Sequence, residues 1–432
     1  MTTLEELYSI YLKYPFVCTD TRMISSGCLF FALKGENFDA NTFAKQAISE
    51  GAAFAIIDNK DFAENEQFIL VDDVLTTLQD LAKHHRNQLS IPMIGLTGSN
   101  GKTTTKELIK AVLAEKYKTF ATKGNLNNHI GVPLSILSIQ SDIEIAVIEM
   151  GANHQKEIEF LCEIAQPTHG LITNVGMAHL DGFGGFEGVK KGKAELFAYL
   201  KLHHGTTFIN RNNPYLIEMS QVANLSKVVY YGTEKGNTII GKLKHSDPLI
   251  EFEWSTNEAS YDAKANLTGT YNFENILAAI CIGHFFELTP SQINTGLANY
   301  FPNNNRSQLI KTDHNTVICD FYNANPSSMA AALHNLKALN AIQKVAIIGD
   351  MFELGNEANE QHENIVKLAT SYALETIFIG SSFYEFKNKY PGNYFKTPIE
   401  ASLFLKENPV KDKLVLLKGS RGMALEQLLP LL

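Results

Sequence analysis

The sequence has few cysteines and does not arrange them in pairs. The five cysteines are scattered and odd in number, and none forms a CxxC motif: Cys18, Cys28, Cys162, Cys281 and Cys319. This pattern argues against a disulfide framework and against a zinc site. We therefore expect a protein of a reducing compartment, the cytoplasm.

An excess of positive charge and long apolar runs are also missing. The 37 Lys and Arg residues against 46 Asp and Glu residues give a formal charge of −9, so nothing global attracts nucleic acid or an anionic membrane. No segment approaches the roughly 18 apolar residues of a membrane span, and the amino end lacks a secretory signal. We expect no nucleic-acid partner and no membrane insertion, and any anionic ligand must be held by local groups.

The chain has enough apolar segments to form several hydrophobic cores. With 432 residues and roughly 150 residues per domain, the chain should form about three domains. Short apolar runs separated by helix-length segments predict parallel sheets with crossover helices. We predict an α/β fold with a small α/β unit at 1–75, a central parallel-sheet domain at 76–301 with an antiparallel insert at about 226–270, and a third, Rossmann-like domain at 302–432.

The strongest local signal is the glycine-rich segment GLTGSNGKTTT at 95–105, between an apolar strand and a helix. Backbone N–H groups of such a turn converge on phosphate oxygens, Lys102 adds charge, and the Thr103 hydroxyl can bind Mg²⁺. The spacing departs from GxxxxGK[ST], because Leu96 stands five residues before Gly101. The alternative is a glycine turn that only joins strand to helix. Nucleotide triphosphate binding is predicted for Gly98, Ser99, Asn100, Gly101, Lys102, Thr103 and Thr104.

This loop resembles the phosphate loop of the Mur ligases, ATP-dependent enzymes that build the peptide stem of bacterial peptidoglycan. Folylpolyglutamate synthases share their general plan. Further matching segments are 125–133 (NLNNHIGVP), 149–154 (EMGANH), 179–184 (HLDGFG), 349–355 (GDMFELG), His362 and 418–421 (KGSR). The third-domain segments are most similar to the family member that joins D-Ala-D-Ala to UDP-N-acetylmuramoyl-tripeptide. The resemblance implies an amide ligase that activates a carboxylate as an acyl phosphate, using ATP and two Mg²⁺ ions.

The resemblance also implies catalytic and metal-binding residues. Lys102 would neutralise the transferred phosphoryl group, and the two Mg²⁺ ions would be held by Thr103, Glu149, His179 and Lys193. Lys193 matches the family's Lys-x-Glu-[Leu/Ile] and would act as a carbamate, formed when its neutral amine reacts with CO₂. Without the resemblance, the alternatives are a solvated loop acid for Glu149, an ordinary polar histidine for His179 and a solvated basic helix face for Lys193.

Ligand contacts are implied as well. For ATP, Asn272 and Asn275 would contact adenine, Arg306 the γ-phosphate and Asp320 the ribose, and Tyr271 stands where several members have histidine. Implied substrate contacts are Thr21 and Arg22 for the uridine nucleotide, Asn125 and Asn128, and, for the dipeptide, Asn323, Asn325, Lys418 and Arg421. The local alternatives are a helix cap at Asn272, a turn capped by Asp20, and surface cations without a ligand.

Two other functions stay open at this point. One is an amide ligase of similar plan that adds a single amino acid, or glutamate to folate, and the other is a non-catalytic nucleotide-binding scaffold. The sequence does not choose between lysine and diaminopimelate at the third stem position. We expect a monomer whose three domains close during the reaction.

Overall fold

The computed structural model describes residues 2–432, which form three main sheets with helices packed on their faces and one two-stranded hairpin. No helix in this range is long and apolar enough to cross a membrane. The mixed α/β architecture with several parallel sheets confirms the predicted fold class. The domain boundaries stay predictions.

The first unit is a four-stranded parallel sheet in the order β1-β2-β5-β6, with a small antiparallel hairpin, β3-β4, beside it. Its strands are β1 (Val17–Cys18), β2 (Leu29–Phe31), β3 (Lys34–Gly35), β4 (Phe38–Asp39), β5 (Phe54–Ile57) and β6 (Phe68–Leu70), and its helices are α1 (Leu4–Lys13), α2 (Ala44–Ser49) and α3 (Val74–Gln88). Helix α1 begins with a capping box in which Thr3 and Glu6 satisfy each other's backbone N–H groups.

The central sheet has nine strands in the order β15-β14-β13-β12-β11-β10-β7-β9-β8. The strands are β7 (Met93–Thr97), β8 (Thr119–Ala121), β9 (Ile145–Glu149), β10 (His169–Ile172), β11 (Thr206–Asn210), β12 (Val228–Gly232), β13 (Ile239–Ser246), β14 (Ile250–Ser255) and β15 (Ser260–Ala265). The helices are α4 (Lys102–Leu113), α5 (Gly131–Leu137), α6 (Glu157–Ala165), α7 (Leu180–Phe183), α8 (Phe186–Leu202), α9 (Pro214–Val222), α10 (Asn272–Phe285) and α11 (Pro290–Asn299).

The predicted antiparallel insert needs a correction. Strand β12, inside the predicted insert, pairs in parallel with both β11 and β13, and the antiparallel pairs are only β13 with β14 and β14 with β15. Because all of them continue the central sheet, the segment is an edge of that sheet. Local alternation and turn residues reveal a strand but not the direction of its neighbour, which explains the error.

The third sheet has the order β16-β17-β21-β18-β19-β20 and is parallel except for β16, which pairs antiparallel with β17. Its strands are β16 (Gln308–Lys311), β17 (Thr316–Asp320), β18 (Lys344–Gly349), β19 (Glu375–Ile379), β20 (Asn393–Phe395) and β21 (Leu414–Lys418), with helices α12 (Pro326–Ala338), α13 (Ala358–Ser371), α14 (Ser381–Tyr384) and α15 (Pro398–Glu407). The open, mostly parallel sheet of nucleotide-binding type was predicted for this part of the chain.

Both faces of the central sheet are buried, as its continuous apolar strands require. In β9, Ala146 and Ile148 join one core while Ile145 and Val147 join the core on the other face. The first of these cores also contains Leu29 of the small sheet, so the amino-terminal unit and the central sheet share it.

The strand order places the site. Strand β7 lies between β9 and β10, and Leu96 is paired with Glu149 while Thr97 is paired with Ile172. Parallel strands end at the same edge of a sheet, so the loops after these three strands meet. The loop after β7 is the glycine-rich segment.

Candidate active site

The glycine-rich loop has a backbone that glycine makes possible. Gly98 has φ 146°, and a Cβ there would lie 2.0 Å from the Thr173 hydroxyl oxygen. Gly101 has φ 75° at the start of α4, where a Cβ would lie 2.7 Å from Asn275 Oδ1. Side chains at these positions would clash or strain the backbone, so the loop's shape depends on both glycines.

Lys102 folds back over this loop. Its Nζ donates to the carbonyl oxygens of Gly98 at 2.7 Å and Ser99 at 3.3 Å. Burial lowers the pKa of Lys102 to about 8, Glu149 opposes the shift and Arg306 adds to it. An anion reaching the loop would favour the charged form of this lysine.

Glu149, at the end of β9, is 1% exposed, and only one of its two carboxylate oxygens accepts hydrogen bonds. Its Oε1 accepts from Thr103 Oγ1 at 3.2 Å and from Asn127 Nδ2 at 2.8 Å, while its Oε2 has no hydrogen-bond partner. Lys106 is fully buried with its Nζ 3.9 Å from Oε2 and donates to Thr122 O at 2.5 Å. Asn127 was not singled out from the sequence, although the segment 125–133 was matched and Asn125 and Asn128 were chosen from it, and Lys106, which belongs to no local metal-binding pattern, was missed.

The donors around Glu149 fit a hard cation. A buried, unpartnered carboxylate oxygen beside a hydroxyl is the oxygen ligation that Mg²⁺ prefers, with phosphate and water completing the shell. Residues 2–432 contain no group of three or more His, Cys, Asp or Glu side chains that could hold a metal ion. A cation here would therefore depend on the nucleotide for part of its ligand set.

His179 and Lys193 lie on either side of the next loop. His179 has φ 52°, lines the site cavity, and places Nδ1 against Oε2 of Glu353 from the third sheet. This contact lowers the pKa of Glu353. Lys193 is 2% exposed, and burial, followed by the charge of Lys102, lowers its pKa to about 7. A substantial fraction of Lys193 is therefore a neutral amine near neutral pH, the form that reacts with CO₂.

The predicted adenine pair is buried and engaged. Asn272 donates from Nδ2 to Thr268 O at 2.7 Å, and Asn275 donates to Asn272 Oδ1 at 3.0 Å while accepting from Thr105 Oγ1 at 3.0 Å. The cap position of α10 is Tyr271, without a side-chain cap, so the alternative of a helix cap at Asn272 is wrong.

The third sheet brings two predicted ligand groups together. Lys418 donates from Nζ to Asp320 Oδ2 at 2.7 Å and to Asn323 O at 3.2 Å. The two side chains, predicted for the dipeptide and the ribose, thus form one ion pair in which Lys418 is buried and Asp320 is partly buried. Asn325 caps α12 by accepting from Ser328 N at 2.9 Å.

These groups surround one cavity of about 1070 Å³ between the central and third sheets. The predicted residues that line it are Ser99, Asn100, Gly101, Lys102, Thr103, Thr104, Asn125, Asn128, Glu149, His179, Asn272, Asn275, Arg306, Asp320, Asn323, Asn325 and Lys418. Tyr322 and Ser327 line it too and were not predicted.

Five predicted residues do not line the cavity: Gly98, Lys193, Thr21, Arg22 and Arg421. Both Gly98 and Lys193 nevertheless contact residues that line it: Gly98 O accepts from Lys102 Nζ, and Lys193 Nζ donates to Ala152 O at 3.4 Å. Arg22 is exposed and paired with Asp20 at 2.5 Å, and Asp20 Oδ1 accepts from Arg22 N at 3.0 Å. The Asp20-capped turn therefore forms, and the structure does not bring Thr21 and Arg22 to the cavity.

A glycine-rich loop at the carboxyl edge of a parallel sheet, followed by lysine and threonine beside a buried glutamate, defines a P-loop protein that uses a nucleoside triphosphate. The Mur ligase middle domain matches residues 96–283, the Mur ligase glutamate ligase domain matches 305–421, and the Mur ligase family catalytic domain matches 13–86. The chain belongs to the Mur ligase family.

Two curated relatives are UDP-N-acetylmuramoyl-tripeptide–D-alanyl-D-alanine ligases. The Bacillus subtilis enzyme is 35% identical over 95% of this chain and 92% of its own length. The Escherichia coli enzyme is 34% identical over 98% of this chain and 94% of its own length.

Solved structures agree with these relatives. MurF from Acinetobacter baumannii superposes with a TM-score of 0.86 at 31% identity, covering 96% of this chain and 92% of that one. The MurF ligase from Thermotoga maritima in complex with ADP has a TM-score of 0.85 at 27% identity, with 97% of each chain covered.

Proposed function

We propose that the chain joins D-Ala-D-Ala to the tripeptide carboxylate of UDP-N-acetylmuramoyl-tripeptide, with ATP converted to ADP and phosphate, in the synthesis of a peptidoglycan precursor. The observation that carries the proposal is the near full-length similarity to two ligases of this name. The cavity supports it, because Lys102, Glu149 and Arg306 face one space together with groups of the third sheet. We place the reaction in the cytoplasm, with the protein acting as a monomer.

The chemistry has two steps. A stem carboxylate oxygen attacks the γ-phosphorus of ATP and displaces ADP, and the dipeptide amine then attacks the acyl carbon. The tetrahedral intermediate expels inorganic phosphate, and the amine loses its proton. Lys102 and Arg306 would neutralise the charge that spreads over the transferred oxygens, and the carbonyls of Gly98 and Ser99 hold Lys102 against the glycine-rich loop. Asn272 and Asn275 would orient the adenine, and Asp320, which lines the same cavity, would accept the ribose hydroxyls.

Closure of the two lobes of the protein, one carrying the central sheet and the other the third sheet, would exclude water from this chemistry. An acyl phosphate hydrolyses readily, so the reaction profits from a cavity whose walls come from both sheets. Asn323, Asn325 and Arg421 would orient the dipeptide, and Asn125 and Asn128 the stem. Thr21 and Arg22 of the first unit would contact the uridine nucleotide at a distance from the reacting groups.

Two Mg²⁺ ions and a carbamate on Lys193 complete the proposed site. Thr103 and Glu149 would hold one ion, and His179 and the carbamate the other; bound Mg²⁺ would neutralise phosphate charge. Addition of ¹³C-bicarbonate should give a carbamate carbon resonance in the wild type. The resonance should be missing from Lys193→Met and retained in Lys191→Met, which removes an exposed lysine of the same helix. Equal spectra for the two variants would refute the modification at Lys193.

The reaction itself is tested by isotope transfer. The stem carboxylate labelled with ¹⁸O should deliver one labelled oxygen to the released phosphate, because the acyl phosphate breaks at its acyl carbon. Unlabelled phosphate would refute the acyl phosphate. The two ligase types are separated by offering either D-Ala-D-Ala with UDP-N-acetylmuramoyl-tripeptide or L-glutamate with folate. Phosphate release only with L-glutamate and folate would refute the proposed substrates.

A further inference from the structure

Arg306 is a partly buried cation that is held without a carboxylate partner. Within residues 2–432 no carboxylate forms an ion pair with it, and its Nε is buried without a hydrogen-bond partner. Its guanidinium carbon instead lies 3.8 Å from the ring centroid of Tyr322. The ring follows strand β17 and lines the cavity.

A second arginine uses the same ring. The guanidinium carbon of Arg421 lies 5.2 Å from the Tyr322 centroid, although Arg421 follows β21 and Arg306 precedes β16. Two like charges from separate segments repel each other, so an attractive group within reach of both lowers the cost of bringing them together. The aromatic face supplies that attraction.

An aromatic ring and a carboxylate hold an arginine with different consequences. A carboxylate takes N–H donors and neutralises the charge, as Asp320 does for Lys418 at 2.7 Å. A ring face binds the flat surface of the guanidinium and leaves its N–H donors free for an oxyanion. The cavity wall therefore holds one cation that is neutralised, Lys418, and one that is not, Arg306, while the exposed Arg421 lies beyond the wall on the same ring.

We propose that Tyr322 is a positioning residue that holds Arg306 for the γ-phosphate and Arg421 for the dipeptide carboxylate. The inference rests on the proposed function for the identity of the two ligands. It assigns Tyr322 a role through its ring face, without contact to the reacting atoms. The phenolic hydroxyl has no part in the role.

Substitution separates the ring from the hydroxyl. Tyr322→Leu should weaken binding of ATP, measured by calorimetry without the other substrates, by about tenfold, because a partly buried cation–π contact lies between the exposed and the desolvated cases in strength. It should also raise KM for D-Ala-D-Ala by about fivefold through Arg421. Tyr322→Phe should stay within about twofold of wild type in both. If Tyr322→Leu does not fold, Tyr322→Met fills similar space and carries the same expectation.

The matched control is Tyr384→Leu. Tyr384 is also partly buried and has Lys387 and Lys396 over its ring at 4.3 and 5.1 Å, but it lies outside the cavity. Loss of its ring should leave ATP binding and both KM values unchanged. A shift in ATP affinity equal to that of Tyr322→Leu would show a general effect of losing a ring and would overturn the proposal.

A double-mutant cycle tests the route of action. In an Arg306→Ala background, Tyr322→Leu should weaken ATP binding by less than about twofold, because the residue that it positions is gone. Additive losses, or a Phe variant as weak as the Leu variant, would overturn the proposal. Because ATP binding needs neither stem peptide nor dipeptide, failure of the proposed substrates leaves this result intact.

Discussion

Asn100 of the glycine-rich loop donates from Nδ2 to the hydroxyl of Ser327, 2.8 Å away, although 227 residues separate them. Asn325 Nδ2 donates to Asn100 Oδ1 at 2.8 Å, and Ser327 donates to Asn325 Oδ1 at 2.9 Å. The three side chains form a closed ring of hydrogen bonds between the central and third lobes. A Cβ at Gly176 would lie 2.8 Å from Ser327 Oγ, so this ring also needs a glycine beside it.

Removing the serine should loosen closure. In Ser327→Ala, Asn100 and Asn325 each lose a partner, at a cost of about 1 kcal/mol per net hydrogen bond. We expect KM for ATP and KM for the dipeptide to rise together by about fivefold, and small-angle scattering to show a larger radius of gyration without ligands. Ser371→Ala, on an exposed serine that bonds only within its own helix, should change neither. Unchanged scattering and kinetics in Ser327→Ala would contradict the role.

The loop lysine should be needed for chemistry. Lys102→Gln keeps a hydrogen-bonding side chain but removes the charge, and we expect phosphate release to fall by about a thousandfold. Lys110→Gln, on an exposed lysine of the same helix α4, should retain full activity. Comparable activity of the two variants would exclude Lys102 from phosphoryl transfer.

Glu149, whose Oε2 has no hydrogen-bond partner, should determine the concentration of divalent metal ion that activity requires. Glu149→Gln should lower activity by at least about a hundredfold and weaken Mn²⁺ binding in the presence of ADP, as read from the electron paramagnetic resonance of free Mn²⁺. Asn127→Ala, which removes one donor to Oε1, should raise the Mn²⁺ requirement by about tenfold. Asn65→Ala, on an exposed turn of the first unit, is the control. Normal Mn²⁺ binding by Glu149→Gln would place the ion elsewhere.

Burial of Lys193 should appear in the pH dependence of stability. Its pKa is about 7 in the folded protein and 10.5 ordinarily, so between these values the unfolded chain binds more protons and stability rises with pH. Lys193→Met removes this cost. In CO₂-free buffer the variant should be inactive but should unfold at a higher temperature than wild type at pH 7, with the gap shrinking as pH approaches 10. A gap that widens with pH would contradict the lowered pKa.

Much of this site could be predicted from short segments. The loop at 95–105, Glu149 at the end of its strand and Lys193 carry their signals locally. The structure places the first two around the cavity and Lys193 against Ala152, which lines it. Tyr322, Asn127, Lys106 and Ser327 lie within or beside predicted segments but were not singled out, because what they do depends on partners that lie on other elements. The prediction of the pairing direction of β12 was wrong for the same reason, because the direction depends on two strands and one strand's sequence does not determine it.

The walls of the cavity come from two lobes, so neither lobe alone presents a complete ligand surface. A small molecule shaped to one wall would compete only with the ligands of that wall. A compound wedged between Asn100 and Ser327 would instead hold the lobes apart and stop both half-reactions without resembling any substrate. A high substrate concentration would relieve such inhibition only by favouring the conformation in which the two lobes are closed.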